Sequence, residues 1–293
     1  MSQVTNLNIA PYYDDFDASK NYRKVLFKPG FPIQSRELST LQSILHEQIE
    51  KFGQHFFKEG SMVIPGGTIV DLSYFAVRID PFFLNIPVKE YTKYLADNKI
   101  EIQGEISGVK ATVVNRLTDG ESIDQFDTLY LKYTASGDDG VTKTFLDGEN
   151  LITLSDIEYS NTRITANSFF ARTIISDSIK TGSSASISEG IFFIRGYFVQ
   201  VPASTVILDQ YENQPSYKIG LSINEELVSA SSQNSDLFDN AKGYSNETAP
   251  GADRFKISAI LSKKLLTDND DSDFVELIRI EDGVTKEQVK KTE

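Results

Sequence analysis

The sequence contains no cysteine and no tryptophan, and only two of its 293 residues are histidines. Without cysteine the chain can form no disulfide, no thiolate metal site and no cysteine nucleophile. His46 and His55 lie nine positions apart, whereas a helical metal-binding pair needs a spacing of four. The sequence also has no G-x-S-x-G nucleophile elbow. We therefore expect no enzymatic activity, no cofactor and no metal site.

Clustered basic residues and long apolar segments are also missing. The formal net charge is -13, and phosphate binding needs clustered Lys and Arg, so DNA and RNA are not expected partners. The N-terminus does not have the basic start and apolar run of a secretion signal. No segment approaches the roughly 20 apolar residues needed to cross a bilayer, so we expect no membrane span.

Apolar residues are nevertheless abundant, at 40% of the chain with 19 Phe and 13 Tyr, which indicates a folded protein. Most of them occur in short runs separated by glycine-containing turns. Runs of strand length cover residues 100–106, 109–114, 128–133, 142–146 and 151–154. This spacing is typical of antiparallel strands rather than βαβ units. We predict an α+β, mainly β fold, with a small inserted β-barrel or sandwich over residues 100–155.

One stretch has a helical pattern instead. It runs from Ser35, an expected N-cap, to Phe52, with Gly53 as the expected stop. Its apolar residues recur at steps of three and four: Leu38, Leu41, Ile44, Leu45, Ile49 and Phe52. This stripe either packs on the strands that follow or pairs with a copy of itself or a neighbouring subunit. The second interpretation rests on the heptad spacing of Leu38, Leu41, Leu45 and Phe52, which Gln48 interrupts.

The remaining segments give a provisional domain organisation. Residues 1–25 read as an extended docking arm whose Asp14, Asp15 and Asp17 do not match a calcium loop. Residues 26–99 hold the long helix, strands and a short helix near Tyr91, and residues 156–226 continue the main domain in strands. In residues 227–293 we predict a long ordered loop over 229–251, a hairpin of 255–261 with 274–280, and from 285 the start of a truncated helix.

Several motifs carry a resemblance to a known family. They are YYDDF at 12–16, VLFKPG at 25–30, QSRELSTLQ at 34–42, DNAKGY at 239–244 and APGADR at 249–254. In these motifs the sequence resembles a family of tail-associated virion proteins of contractile-tailed phages, including cyanophages, that is known under a placeholder domain name. Members look like the N-terminal parts of larger baseplate or tail-fibre proteins. The segment around residues 100–154 looks like a more variable insert.

The resemblance implies a structural virion protein of the tail, assembled in the host cytoplasm, that holds neighbouring tail or baseplate proteins together and forms a homo-oligomer. Aromatic and leucine side chains are the expected interface anchors. The candidate interface residues are Tyr12, Tyr13, Phe16, Leu38, Leu41, Leu45 and Phe52. Two alternatives remain: a host-surface carbohydrate-binding or depolymerase tail protein, and a soluble assembly factor absent from the finished particle.

Overall fold

The computed structural model describes residues 3–64, 66–117, 125–160, 162–229, 237 and 251–288. Strands predominate over helices, as the sequence predicts. The two α-helices are α1 (Ser35–Phe56) and α2 (Lys89–Asp97). The first ten strands are β1 (Met62–Ile64), β2 (Thr68–Ile79), β3 (Phe82–Phe83), β4 (Ile86–Pro87), β5 (Glu101–Gly104), β6 (Lys110–Leu117), β7 (Asp127–Ala135), β8 (Asn150–Thr153), β9 (Ile157–Tyr159) and β10 (Thr162–Ile164). The others are β11 (Ser168–Arg172), β12 (Ile179–Ile187), β13 (Gly190–Ile194), β14 (Tyr197–Val201), β15 (Ser204–Asp209), β16 (Tyr217–Val228), β17 (Arg254–Leu265), β18 (Phe274–Glu281) and β19 (Val284–Gln288).

Within the described part of the chain the strands form three main sheets and two short pairs, with antiparallel pairing. The largest sheet has eight strands in the order β11-β8-β5-β6-β7-β2-β12-β15. A three-stranded sheet has the order β1-β13-β14, and a four-stranded sheet has the order β17-β16-β18-β19. The short pairs are β3 with β4 and β9 with β10. Several strands pair directly with the next strand in sequence, among them β5 with β6, β6 with β7, β13 with β14 and β16 with β17, as is common in antiparallel topologies.

The segment predicted as an inserted barrel or sandwich contributes strands to the largest sheet. β7 pairs with β6 on one side and with β2 on the other, so the strands of residues 100–155 continue into the rest of the sheet. A single bridge between Ile79 and Thr173 brings the end of β11 back to β2. Among the described residues the sheet therefore curls without closing into a barrel. The run predicted as a strand over 142–146 is irregular.

Two hydrophobic cores lie along this sheet, and α2 covers the first. The first core consists of side chains from the curled strands and from α2, among them Val77, Ile102, Val113, Leu129, Phe170, Tyr91 and Leu95. The second lies where β12, β13 and β14 meet the four-stranded sheet, and includes Ala185, Ile187, Phe192, Val199, Ile219, Leu261 and Val275. β2 and β12 contribute to both cores, because each strand is long enough to pass from one to the other.

β12 changes register where it passes between the cores. Its pairing with β2 shifts between Gly182 and Ser184, which is the mark of a bulge. A Cβ at position 182 would lie 2.5 Å from the carbonyl oxygen of Gln210, so only glycine fits this close approach. The bulge lets one strand serve both cores.

The last third of the chain differs from the sequence prediction in two ways. β17 and β18 do not form a hairpin with each other, because both pair with β16, which lies between them. Residues 285–288, predicted to begin a helix, belong to strand β19 instead: Asp282 and Gly283 adopt positive φ values and turn the chain back along β18. The rest of that predicted segment, 289–293, lies outside the described residues. The loop predicted over 229–251 lies almost entirely outside the described residues.

Membrane crossing by a helix finds no support in this fold. Neither helix in the described part of the chain combines the length and the apolarity that a bilayer span requires.

The fold predicts a measurable role for one buried hydroxyl. Phe170 lies in a bulge where β11 shifts register against β8, and the hydroxyl of buried Tyr91 donates a hydrogen bond to its carbonyl oxygen. Tyr91→Phe leaves that carbonyl without this donor, so we expect the free energy of unfolding to fall by about 1–2 kcal/mol in urea titrations followed by circular dichroism. Tyr22→Phe, at a side chain 64% exposed, is the matched control and should change stability by less than about 0.5 kcal/mol. Equal effects of the two substitutions would contradict the assignment.

Candidate functional site

The long helix begins at Ser35 and extends one turn beyond its predicted end. The N-cap is Gln34 rather than Ser35, and its backbone N–H donates to the Glu37 carboxylate at 2.7 Å. Gly53 does not stop the helix, which continues to Phe56. Gly53 lies inside the helix and is buried against the ring of Phe193. A side chain at this position would collide with that ring. Sequence pattern alone does not distinguish a glycine that ends a helix from one that admits a neighbour.

The polar side of α1 is attached to the N-terminal arm. Thr40 Oγ1 donates to Asp14 Oδ1 at 3.1 Å, and the Ser43 hydroxyl donates to the other carboxylate oxygen of Asp14. One turn further along, Arg23 pairs with buried Glu47 at 2.7 Å, and Lys51 pairs with the same carboxylate. The hydrogen bond from Lys51 and its charge, with those of Arg23, hold the pKa of Glu47 below its ordinary value.

The same helix contacts the β13–β14 hairpin. The His46 ring stacks on the Tyr197 ring with centroids 3.8 Å apart, and Gly53 lies against Phe193. Glu50 lies close to Gly196 in the hairpin turn, where a Cβ would collide with the Glu50 side chain. These contacts involve the polar and small residues of α1, so the helix is seated on its polar side.

The apolar side of α1 consequently points outward. Its exposed fractions are 47% for Leu38, 54% for Leu45, 50% for Ile49, 67% for Phe52 and 52% for Phe56. We call these five residues the outer face. Only Ile44 of the predicted stripe is buried, and Leu41 is half-buried. The interpretation that the stripe packs on the following strands is therefore wrong for most of its length.

Two of the three candidate interface residues of the arm are half-buried. Tyr12 is half-buried and its hydroxyl donates to Asp253 at 2.6 Å, so it holds the arm to its own chain. Phe16 is half-buried as well, whereas Tyr13 is 54% exposed. The chain between the arm and α1 adds further exposed apolar side chains: Leu26, Phe27, Phe31 and Ile33.

Two members of the outer face, Ile49 and Phe56, are not among the interface residues predicted from the sequence. The predicted stripe includes Ile49, whereas the helix end predicted at Gly53 excludes Phe56. The steps from Leu45 through Ile49 and Phe52 to Phe56 are four, three and four residues. Reading this spacing past Gly53 would have found the complete face.

A buried ion pair, also not anticipated from the sequence, fixes the start of the arm. Arg195 Nη1 lies 2.6 Å from Glu225 Oε1, with the two side chains 2% and 6% exposed, and Arg195 also pairs with Asp273. Glu225 accepts hydrogen bonds from the backbone N–H groups of Val4 and Thr5 at 3.1 and 2.8 Å. Burial alone would raise the pKa of Glu225, but its hydrogen bonds outweigh burial and hold the pKa below its ordinary value.

One cavity among the described residues has a volume of about 10 Å³, which is room for at most one water molecule, and is lined by Gly60, Met62, Thr68, Phe192 and Leu277. Within the same residues no group of three His, Asp or Glu side chains is placed to hold a metal ion. The outer face is therefore the most prominent candidate site in the described structure.

We call Glu225, with its contacts to Arg195, Val4 and Thr5, the arm anchor. Its role can be tested with the neighbouring residue Glu226 as the control. Glu225→Gln removes the charge that faces buried Arg195, so we expect the free energy of unfolding to fall by about 3 kcal/mol. Glu226→Gln alters the next residue, whose ion pair with Lys256 is exposed, and should cost less than about 1 kcal/mol. Urea titrations measure both values, and limited proteolysis should cut the arm faster only in Glu225→Gln. Equal stability of the two variants would rule out the anchor.

The contact of His46 with the hairpin should make the free energy of unfolding depend on pH. Burial against the hairpin lowers the pKa of His46 below its ordinary value, although the nearby Glu50 charge opposes this. The folded state therefore binds fewer protons than the unfolded state, and the free energy of unfolding should decrease as the pH falls from about 6.5 towards 5. We expect His46→Gln to have a flatter profile in this window. Parallel profiles of the variant and the wild type, measured by urea titration at each pH, would contradict the assignment.

Comparison with known proteins identifies a family but no characterised relative. No curated protein and no solved structure matches the chain. A family model matches residues 10–126 and 158–293, which is most of the sequence. Residues 1–9 and 127–157 are not matched; the internal stretch carries β7 and β8 and falls mainly in the segment for which an insert is predicted. The chain therefore belongs to the family described as a domain of unknown function, DUF4815.

Proposed function

We propose that this chain is a non-enzymatic structural protein of a contractile phage tail, at the baseplate periphery or the base of a tail fibre. In this role it holds neighbouring virion proteins together. The observation that carries the proposal is the outward orientation of the apolar side of α1. The choice of a virion rests on the sequence resemblance in the arm, the helix and the APGADR motif.

The size of the outer face supports a protein-binding role. With about half of each of five large side chains exposed, it presents on the order of 500 Å² of apolar surface. Patches of this size are at the upper end for monomeric proteins and often mark binding sites. Phe52 and Phe56, whose ring centroids are 4.9 Å apart, supply an aromatic pair of the kind found at interface centres.

The contacts that hold α1 support the same role, because they fix the orientation of the outer face before a partner binds. Asp14 and Glu47 bind the polar side of the helix, and the hairpin contacts His46 and Gly53. A helix held in this way loses little conformational freedom on binding, so more of the apolar contact energy is available for association. A rigid docking face suits a protein whose role is to hold others in place.

The buried carboxylates are engaged in structural contacts, which supports a role without chemistry. Glu149 is fully buried and accepts hydrogen bonds from the backbone N–H groups of Ser107 and Leu146 at 2.9 and 2.6 Å. Asp14 and Glu47 hold α1 as described above. Each of these acids joins segments that are distant in sequence or turns a loop, which is how a framework uses a buried charge.

The proposal is tested in particles of the phage that encodes the chain. Leu41→Asp combined with Leu45→Asp places one carboxylate in the outer face, at position 45, and a second beside it, at the half-buried position 41. Incorporation into purified tails, measured by quantitative mass spectrometry, should fall more than about tenfold, because a buried unpaired charge costs well over about 1.4 kcal/mol.

The control for this experiment is Ile106→Asp, a similar change at a side chain 69% exposed and far from α1 in sequence, which should be incorporated normally. Circular dichroism and a thermal melt of each purified protein show that the variants fold. Absence of the wild-type chain from the particles, or normal incorporation of the doubly substituted chain, would refute the proposed role.

A further inference from the structure

We infer that the outer face of α1 binds the α1 helix of a second copy of this chain, in parallel and in register. This inference rests on the proposed function and specifies one partner of the same site.

The outer face has the spacing of a coiled-coil seam. Leu38, Leu45 and Phe52 recur every seven residues and occupy d positions, while Ile49 and Phe56 occupy a positions four residues after Leu45 and Phe52. This seam differs from the one predicted from the sequence, because Leu41 and Gln48 flank it instead of lying in it. Helices with this pattern pack on helices with the same pattern, since each side chain enters a gap between four side chains of the partner. Another copy of α1 supplies such a partner without further assumption.

The flanking positions are compatible with an identical partner. The e positions are Ser39, His46 and Gly53, of which the last two are covered by the hairpin of their own chain, and the g positions are Leu41, Gln48 and His55. None of these six residues is an acid, a lysine or an arginine, so two copies meet without like-charge repulsion at the seam, although each chain has a net charge of -13. A partner of opposite charge would find no charged residue at these positions to recognise.

Gln42 sets the direction of the pair. It occupies the remaining a position, is exposed, and interrupts the apolar seam once. In a parallel, in-register pair it faces Gln42 of the second copy, and the two amides can bond to each other. In an antiparallel pair centred on residue 47 it faces Phe52, which leaves a buried amide without a partner. A single polar a residue is a known means of fixing register in this way.

The area of contact is sufficient for a specific interface. α1 has 22 residues and is therefore about 33 Å long. Pairing two outer faces removes on the order of 1,000 Å² of apolar surface from water, which is about the lower limit for a biological interface. The exposed side chains of Leu26, Phe27 and Phe31, before the helix, can add to this area.

The first test is the mass of the purified protein in solution. Sedimentation velocity of the wild type should give two or more copies at micromolar concentration. Leu45→Asp combined with Ile49→Asp should give a monomer, or weaken association at least tenfold, while Ile106→Asp should behave as wild type. A wild-type protein that stays monomeric up to about 100 μM, the weak range for a dedicated interface, would overturn the inference.

The second test uses the absence of cysteine from the chain, since a single introduced cysteine can pair only with the same position in another copy. Gln42→Cys should form a disulfide-linked dimer under mild oxidation, because the parallel register brings the two Cβ atoms close together. Gln54→Cys, exposed and on the other side of α1, is the control and should remain largely unlinked. Equal crosslinking of the two variants, or crosslinking of neither in an associated protein, would overturn the parallel arrangement.

The two proposals fail in different ways. If the protein is monomeric while Leu41→Asp with Leu45→Asp still abolishes incorporation, the outer face binds a different tail protein and only the second copy is refuted. If the protein associates and crosslinks through Gln42→Cys but is absent from particles, the role in the virion is refuted and the pairing stands.

Discussion

The structure depends on how the polar side of α1 is satisfied. Asp14 and Glu47 are both buried, and both carboxylates are bound by side chains of the helix or of the arm. A buried carboxylate without such partners would cost several kcal/mol. These contacts therefore fix the orientation of the helix about its own axis. With the polar side held inward, the leucine and phenylalanine stripe has to face outward. An internal electrostatic requirement thereby produces an exposed apolar surface.

The β framework carries this helix on a surface that two cores support. β2 and β12 contribute side chains to both cores, and β13 follows β12 directly and presents Phe193 to Gly53. Displacing α1 would therefore disturb the hairpin that completes the second core. The turn of that hairpin, at Arg195 and Gly196 with positive φ values, also delivers the arginine that fixes the arm. Helix, hairpin and arm are positioned together.

The N-terminal arm is part of this unit and not a loose extension. Thr5 binds Glu225, Tyr12 binds Asp253, and Asp14 binds Thr40, so the arm joins the four-stranded sheet to the helix. These contacts span more than two hundred residues of sequence for the first two pairs. The arm residues expected at an interface serve in part within their own chain.

The sequence by itself determined the local elements. The steps of three and four residues from Leu38 to Phe52 specify a helix, and the short apolar runs between glycine turns specify antiparallel strands, because side-chain period follows directly from backbone geometry. The tertiary structure alone decided which side of α1 faces water, that Gly53 lies inside the helix, and that β16 separates β17 from β18. Each of these three features depends on contacts between residues distant in sequence, such as Asp14 with Ser43 and Phe193 with Gly53. The periodicity of the sequence does not reveal such contacts.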